Sequence, residues 1–280
     1  MQISHLIKTT SKLLESVSDS PRLDTEVLLA HSLQKNRTYL ATWSDKKLTE
    51  QEIYTFNKLL KRRQQGEPIA YITGTREFWS LNLTVNKDTL IPRPETELMV
   101  EEILNRYPQT DDVHLLDLGT GSGAIALALA SERPNWKITA TDQSNAALNI
   151  AKQNAKQLGL NNIQFFAGYW FEAIKHETTQ FNIIASNPPY IPSANPHLSQ
   201  GDVRFEPLSA LASGDDGLDD IRHICQQAPK FLKAKAMLII EHGFDQKPQI
   251  LNIFKDSGYK SIQQIFDMAD NPRLCSGIKP

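Results

Sequence analysis

The chain has 280 residues, 40% hydrophobic and 22% charged, with a formal net charge of −2. That length and apolar content support a sizeable core divided between one large and one small domain, and the lack of low-complexity tracts excludes wholesale disorder. Residues 1–73 hold 11 basic against 8 acidic side chains and the remainder 19 against 24, a weaker basic bias than a protein gripping a phosphate backbone carries. The two cysteines, Cys225 and Cys275, lack metal-ligand spacing, so no metal is expected and both read as free thiols. The N-terminus has no signal-peptide pattern and no apolar run reaches membrane-spanning length, so a cytoplasmic protein with no membrane segment is expected.

Residues 1–73 read as a helical domain. Leu6, Leu13 and Leu14 fall at helical spacing, and Ser20-Pro21 resembles an N-cap followed by proline at the first helical position. Leu28 and Leu29 then mark the apolar face of a second helix. Thr49-Glu50-Gln51-Glu52 has the form of a capping box and opens a helix through Leu59 and Leu60 to Arg63. Lys58, Lys61, Arg62 and Arg63 form a basic run, read as a solvated helix face in preference to a docking surface.

From 74 to 93 the pattern changes. Leu81, Leu83 and Val85 alternate with polar residues, which predicts a strand in a hairpin linking two domains. The prolines of Ile91-Pro92-Arg93-Pro94 exclude regular helix there. Over residues 94–280, apolar runs of strand length at 113–118, 137–142, 163–167, 181–186 and 236–241 alternate with amphipathic segments such as 146–158 and 218–232. This alternation predicts an α/β domain with a parallel sheet covered on both faces.

Two strand ends carry the chemistry. The first run leads into Gly119-Thr120-Gly121-Ser122-Gly123 and then a helix from Ala124, a turn in which a ligand can approach the backbone closely. Asp142 ends the next run, where a nucleotide-binding fold places the acid that accepts hydrogen bonds from a ribose diol; the alternative is a helix N-cap. The glycine turn alone leaves NAD and S-adenosylmethionine open, because Ala124 stands where the dinucleotide fingerprint has its third small residue. The run 181–186 decides between them, since it ends in Asn187-Pro188-Pro189-Tyr190. Consecutive prolines remove two donors and leave carbonyl acceptors, while the Asn187 amide both accepts and donates. Such a group suits a planar –NH2 held through its two hydrogens, with Tyr190 stacked on its plane. Asn187, Pro188 and Tyr190 are therefore the candidate catalytic residues, and Asn187, Pro188, Pro189 and Tyr190 the candidate substrate site. An amide or aromatic amine is a poor nucleophile, so orientation towards a methyl donor and stabilisation of developing positive charge carry the reaction.

At these residues the chain resembles the bacterial peptide chain release factor glutamine methyltransferases. The resemblance runs nearly end to end, through Arg76-Glu77-Phe78-Trp79, Leu90-Ile91-Pro92-Arg93-Pro94-Glu95-Thr96-Glu97, the glycine turn, Asn187-Pro188-Pro189-Tyr190-Ile191-Pro192, Arg204-Phe205-Glu206-Pro207 and Glu241-His242-Gly243. It implies a small N-terminal helical bundle, a β-hairpin linker and a Rossmann-like seven-stranded class I methyltransferase domain. It also implies methyl transfer from S-adenosylmethionine to the glutamine of the Gly-Gly-Gln loop of class I peptide chain release factors, which supports translation termination. Carried over by position, Gly119, Thr120, Gly121, Ser122, Gly123, Asp142 and Asn187 look like cofactor contacts, and Trp170 looks like a neighbour of the adenine. The family often has an acid before that tryptophan, whereas this chain has Tyr169.

Two neighbouring readings share the tetrapeptide and cofactor: an adenine-N6 nucleic-acid methyltransferase, and a ribosomal-protein glutamine methyltransferase. The first would need to extrude a base and hold phosphates, which the acidic second domain disfavours. No direct nucleic-acid binding is expected, and the chain is expected to act as a monomer on a protein substrate that residues 1–73 recognise.

Overall fold

The computed structural model describes residues 1–108, 112–176 and 180–280. It divides into two compact units, Met1–Thr75 with Ser199–Phe205, and Arg76–Leu198 with Glu206–Pro280.

The first unit is helical: α1 (Ile3–Leu13), α2 (Pro21–Ser32), α3 (Arg37–Thr42), α4 (Glu50–Gln64) and α5 (Ile69–Thr73). Its core gathers Ile3, Leu6, Leu28, Leu29, Phe56 and Leu60, each of which contributes roughly 1.5–3 kcal/mol by leaving water. The Thr49–Glu52 capping box forms in both directions, as its spacing predicts. Pro21 opens α2, but the Ser20 side chain makes no cap bond to the helix. The basic run is not a uniform solvated face. Arg63 is buried at 4% exposure, donating from Nε to Asp24 at 2.8 Å and from Nη1 to Asp202 at 2.7 Å. Arg62 pairs with Glu67, and Lys58 lies over the Tyr54 ring.

The second unit opens with a hairpin of β1 (Thr75–Phe78) and β2 (Leu81–Thr84). Its two-residue turn is Trp79-Ser80, both at positive φ, the twist that suits a tight hairpin. Phe78 and Leu83 enter the main core of this unit, and Asn154 exchanges two hydrogen bonds with the Thr84 backbone. The linker expected from the sequence is thus packed against the domain that follows it.

The chain then runs through α6 (Glu97–Arg106), β3 (His114–Leu118), α7 (Ala124–Glu132), β4 (Lys137–Asp142), α8 (Asn145–Leu158), β5 (Ile163–Ala167), β6 (Phe181–Ser186), α9 (Asp219–Gln227), β7 (Leu232–Glu241), α10 (Lys247–Asp256), β8 (Lys260–Phe266) and β9 (Pro272–Ile278). The sheet order is β5-β4-β3-β6-β7-β9-β8, with β9 antiparallel to both of its neighbours. Successive residues of the central strands enter opposite cores. Leu115, Ile183 and Met237 face one, and Leu116, Ile184 and Leu238 the other. This explains why the strands read as unbroken apolar runs. The helix predicted over 218–232 ends at Gln227. A short 3-10 turn with Pro229 follows, and β7 starts at Leu232, earlier than the apolar run at 236 indicates. Among the described residues, no helix is long and apolar enough to cross a membrane.

Candidate active site

Parallel pairing brings the carboxyl ends of β3, β4, β5 and β6 to one edge. Leu118 is level with Thr141 and Ser186, and Asp142 with Ala167. Gly119, Asp142, Gly168 and Asn187 therefore leave the sheet side by side, flanking the point where the strand order reverses, the usual place for a ligand in an open α/β sheet. The Ser186 hydroxyl donates to the Leu118 carbonyl at 2.8 Å, fixing the tetrapeptide strand beside the glycine turn.

A cavity of about 420 Å³ occupies this edge. Gly119, Gly121, Asp142, Trp170, Asn187 and Pro189 all line it. Gly119 has φ +74°, and a β-carbon there would meet the Trp170 ring at 3.1 Å, whereas one at Gly121 would meet nothing within 4 Å. The first glycine admits the indole; the second presents bare backbone to the cavity.

Thr120, Ser122 and Gly123 shape the turn without lining the cavity. The Thr120 hydroxyl donates to Asp117 Oδ2 at 2.6 Å, the Ser122 carbonyl accepts from Asn154 at 2.9 Å, and Gly123 occupies the N-cap of α7 in the left-handed region. Asp117 is fully buried, and burial pushes its carboxyl up to about 7. Sequence reasoning did not single out Asp117; an acid on an otherwise apolar strand was the signal for it.

Asp142 accepts from Gly121 N at 2.9 Å and from Ser144 N at 2.8 Å. It is not the cap of α8, since Ser144 fills that role through Ala147 N. Burial raises its pKa against the two backbone hydrogen bonds. Each carboxylate oxygen already holds one donor and keeps a second lone pair, so the group is anchored and still able to accept from a vicinal diol. That geometry, with the open backbone of Gly121, fits a nucleoside cofactor.

At the end of β5, Trp170 takes a left-handed φ of +43°, a conformation that costs on the order of 1–3 kcal/mol for a non-glycine residue. Its indole N–H donates to Asp220 Oδ1 at 2.9 Å, and burial of the ring helps to hold it there. Asp220, at the start of α9, lines the cavity too; nothing in its local sequence marks it for this position.

The tetrapeptide divides. Asn187 and Pro189 border the cavity, while Pro188 and Tyr190 are not among its lining residues. The Asn187 Nδ2 donates to the Thr96 hydroxyl at 3.2 Å, Thr96 donates to Glu241 Oε2 at 2.7 Å, and the Tyr190 hydroxyl donates to Glu241 Oε1 at 3.4 Å. Burial pushes Glu241 up to about 7 and Tyr190 well above its ordinary value. Glu206, its side chain fully buried, accepts from Ile91 N at 3.0 Å and pairs with Arg93. Sequence reasoning missed Thr96 and Glu241 as supports of Asn187, and Glu206 as the brace of the Ile91–Arg93 segment. All three lie inside motifs that carry the family likeness, yet each has a partner more than a hundred residues away.

Known proteins share both units. The PrmC N-terminal domain family matches residues 5–74, and a methyltransferase domain family matches residues 109–272. The release factor glutamine methyltransferase of Vibrio cholerae is 50% identical over 268 residues, covering 96% of this chain and 93% of its own. That of Escherichia coli is 44% identical over 277 residues, covering 99% of each. A methyltransferase structure from Pyrococcus furiosus shares the fold, with a TM-score of 0.52 at 18% identity, covering 80% of this chain and 98% of its own. By sequence across nearly its whole length, the chain belongs to the release factor glutamine methyltransferase family.

Proposed function

We propose that this chain transfers the methyl group of S-adenosylmethionine to the side-chain amide nitrogen of the glutamine in the Gly-Gly-Gln loop of class I peptide chain release factors. The observation that carries the reading is the sharing of one cavity by Asn187 and Pro189 with Gly119, Gly121 and Asp142. The residues suited to hold a nucleoside and those suited to hold a planar –NH2 group meet in one space.

In this reading Asp142 accepts from the ribose hydroxyls, the Gly119 and Gly121 backbone borders the amino-acid part of the cofactor, and Trp170 packs beside the adenine. S-adenosylmethionine, when bound, supplies an electrophilic methyl carbon whose bond to sulfur breaks as its bond to nitrogen forms. The Asn187 oxygen, on the cavity wall, accepts one amide hydrogen, and the Pro188 carbonyl, outside the present lining, takes the second once the glutamine enters; together they aim the nitrogen lone pair and stabilise positive charge as it develops. Methylation leaves one proton in excess on nitrogen, and that proton passes to solvent. Tyr190, which does not line the cavity, supports the tetrapeptide through its hydrogen bond to Glu241.

The test is incubation of the full chain with labelled S-adenosylmethionine and, separately, a class I release factor, ribosomal proteins and DNA. Label is expected on the release factor, at the glutamine of its Gly-Gly-Gln loop. Label on DNA would favour an adenine-N6 activity, and label on a ribosomal protein the other glutamine-directed one; either in place of the release factor overturns the proposal.

A further inference from the structure

The direction of the hydrogen bonds behind Asn187 decides which end of its amide faces the substrate. A threonine hydroxyl has one proton to give. Thr96 gives its proton to Glu241 Oε2 at 2.7 Å, so towards Asn187, at 3.2 Å, its oxygen can only accept. The Asn187 group facing it is therefore the –NH2 end, and Oδ1 is left as the other polar atom of a side chain that borders the cavity. Run in reverse, with Glu241 as donor, the same chain would turn the Thr96 proton onto the amide oxygen. The –NH2 would then face the cavity, where a substrate –NH2 offers it only hydrogens.

Ionised, Glu241 offers only acceptor oxygens, and that sets the first direction. Thr96 is 3% exposed and Glu241 2%, so water has little access to replace either partner, and a buried unpaired polar group is costly. Glu241 ends β7, one residue past Ile240, which is level with Ser186 of β6; the carboxylate is thus level with Asn187. Thr96 belongs to the short 3-10 turn that Pro94 opens. Through its second oxygen Glu241 also takes the Tyr190 hydroxyl, so one carboxylate ties both ends of Asn187-Pro188-Pro189-Tyr190.

We propose that Thr96 and Glu241 are positioning residues that lock the Asn187 amide with its oxygen as the acceptor for the substrate's reacting –NH2 group. The assignment rests on the methyl-transfer reading above. It gives the Thr96 and Glu241 of two separate motifs one shared role, in which they touch neither substrate nor cofactor and act through Asn187.

Thr96→Val keeps the shape and removes the hydroxyl; Thr96→Ser keeps the hydroxyl. With a class I release factor as substrate, Thr96→Val is expected to lower kcat on the order of a hundredfold, the scale of a misplaced reacting group. Its affinity for S-adenosylhomocysteine by calorimetry should stay within about twofold of wild type, and Thr96→Ser should recover most of the lost kcat. A Thr96→Val enzyme with kcat within about twofold of wild type overturns the inference. Equal loss of turnover and S-adenosylhomocysteine affinity in both variants also overturns it, since that marks a residue needed only for the fold. A wild-type chain that binds S-adenosylhomocysteine but methylates no release factor refutes the functional reading instead, so the two failures are separable.

Discussion

Tyr169 donates its hydroxyl to Asp220 Oδ1 at 3.1 Å, the same oxygen that accepts the Trp170 indole N–H. With its proton held there, the Tyr169 oxygen is left as an acceptor on the rim of the cavity. Strand order places β5 beyond β4, so the base of a nucleoside whose ribose sits on Asp142 extends towards Tyr169 and Trp170. An adenine amino group can donate to that oxygen. Tyr169→Phe should weaken S-adenosylhomocysteine binding about two- to tenfold, the scale of one neutral hydrogen bond. It should also erase the preference for S-adenosylhomocysteine over its inosine counterpart, which presents a carbonyl in place of the amino group. Calorimetry with both ligands measures the ratio, and an unchanged ratio removes Tyr169 from base recognition.

Asp142→Ala should weaken S-adenosylhomocysteine by about 1.5–3 kcal/mol, the worth of charged hydrogen bonds to a diol. Because Asp142 also holds Gly121 N and Ser144 N, part of the loss will come from a slackened glycine turn. Comparison with 2′-deoxyadenosyl ligand separates the two contributions: the wild type should discriminate against the deoxy form and the variant should not. Equal discrimination by both proteins would leave Asp142 a purely structural anchor.

Asn187→Ala should retain S-adenosylhomocysteine affinity within a few-fold and lose about 10²–10³ in turnover on release factor. The side chain borders the cavity and its Nδ2 is occupied by Thr96, so what the variant chiefly removes is the acceptor for the substrate. Near-wild-type turnover would take Asn187 out of the mechanism.

Much of this site was legible because its chemistry sits at strand ends, where one residue marks a position on the sheet edge. Asp142, Gly119, Gly121 and Asn187 could be placed from the apolar runs that precede them, without knowledge of long-range pairing. Strands β8 and β9 were not read. The residues of β8 are exposed or half-buried, and β9 buries Leu274, Cys275, Ser276 and Gly277, small or polar apart from the leucine, so neither gives an apolar stretch of the kind that marks the central strands. Asp220, Thr96 and Glu241 escaped for another reason. Each acts through a partner brought close only by folding, and an Asp at the start of a helix or a Thr two residues after a proline reads locally as helix-end chemistry. Arg63 misled in the opposite sense, since its charge signalled solvent and its partners Asp24 and Asp202 were invisible to periodicity.

Burial holds Asp117 and Glu241 at about 7, above their ordinary values of 3.8 and 4.5. Tyr190, Arg273 and Glu95 face Glu241; Arg273 favours its charge and Glu95 opposes it. Between the ordinary values and 7 the folded chain holds protons that the unfolded chain has released, so stability falls as pH rises through that window and levels off above it. The paired surface acids Asp216 and Asp267 have depressed values, so their stabilisation is lost only at more acidic pH. Melting temperature should therefore be higher near pH 5.5 than near pH 7.5, and Asp117→Asn should flatten the slope. Identical slopes for wild type and Asp117→Asn would show that Asp117 is ionised in both states across this range.

The helical unit carries no catalytic constellation, and its substrate in this reading is a loop of a large folded protein, so we assign it to protein recognition. The basic run on α4 now separates into two kinds of residue. Arg63 is a structural ion, buried with Asp24, and removal of one partner of such a pair commonly costs about 3–5 kcal/mol. Arg63→Ala should therefore lower the melting temperature of the helical unit, which would confound any test of docking. Lys58 and Lys61 are exposed and form no ion pair among the described residues. The double variant Lys58→Glu, Lys61→Glu should melt like wild type. It should have a lower kcat/KM on intact release factor, with the deficit shrinking as salt is raised, because contacts of this kind act mainly on the association rate. On a short peptide carrying Gly-Gly-Gln, which cannot reach a distant surface, the variant and wild type should be equally slow. Equal kcat/KM on the intact factor at low salt would place docking elsewhere on the helical unit; an equal deficit on the peptide would show that the substitutions disturb the chemistry and not the recognition.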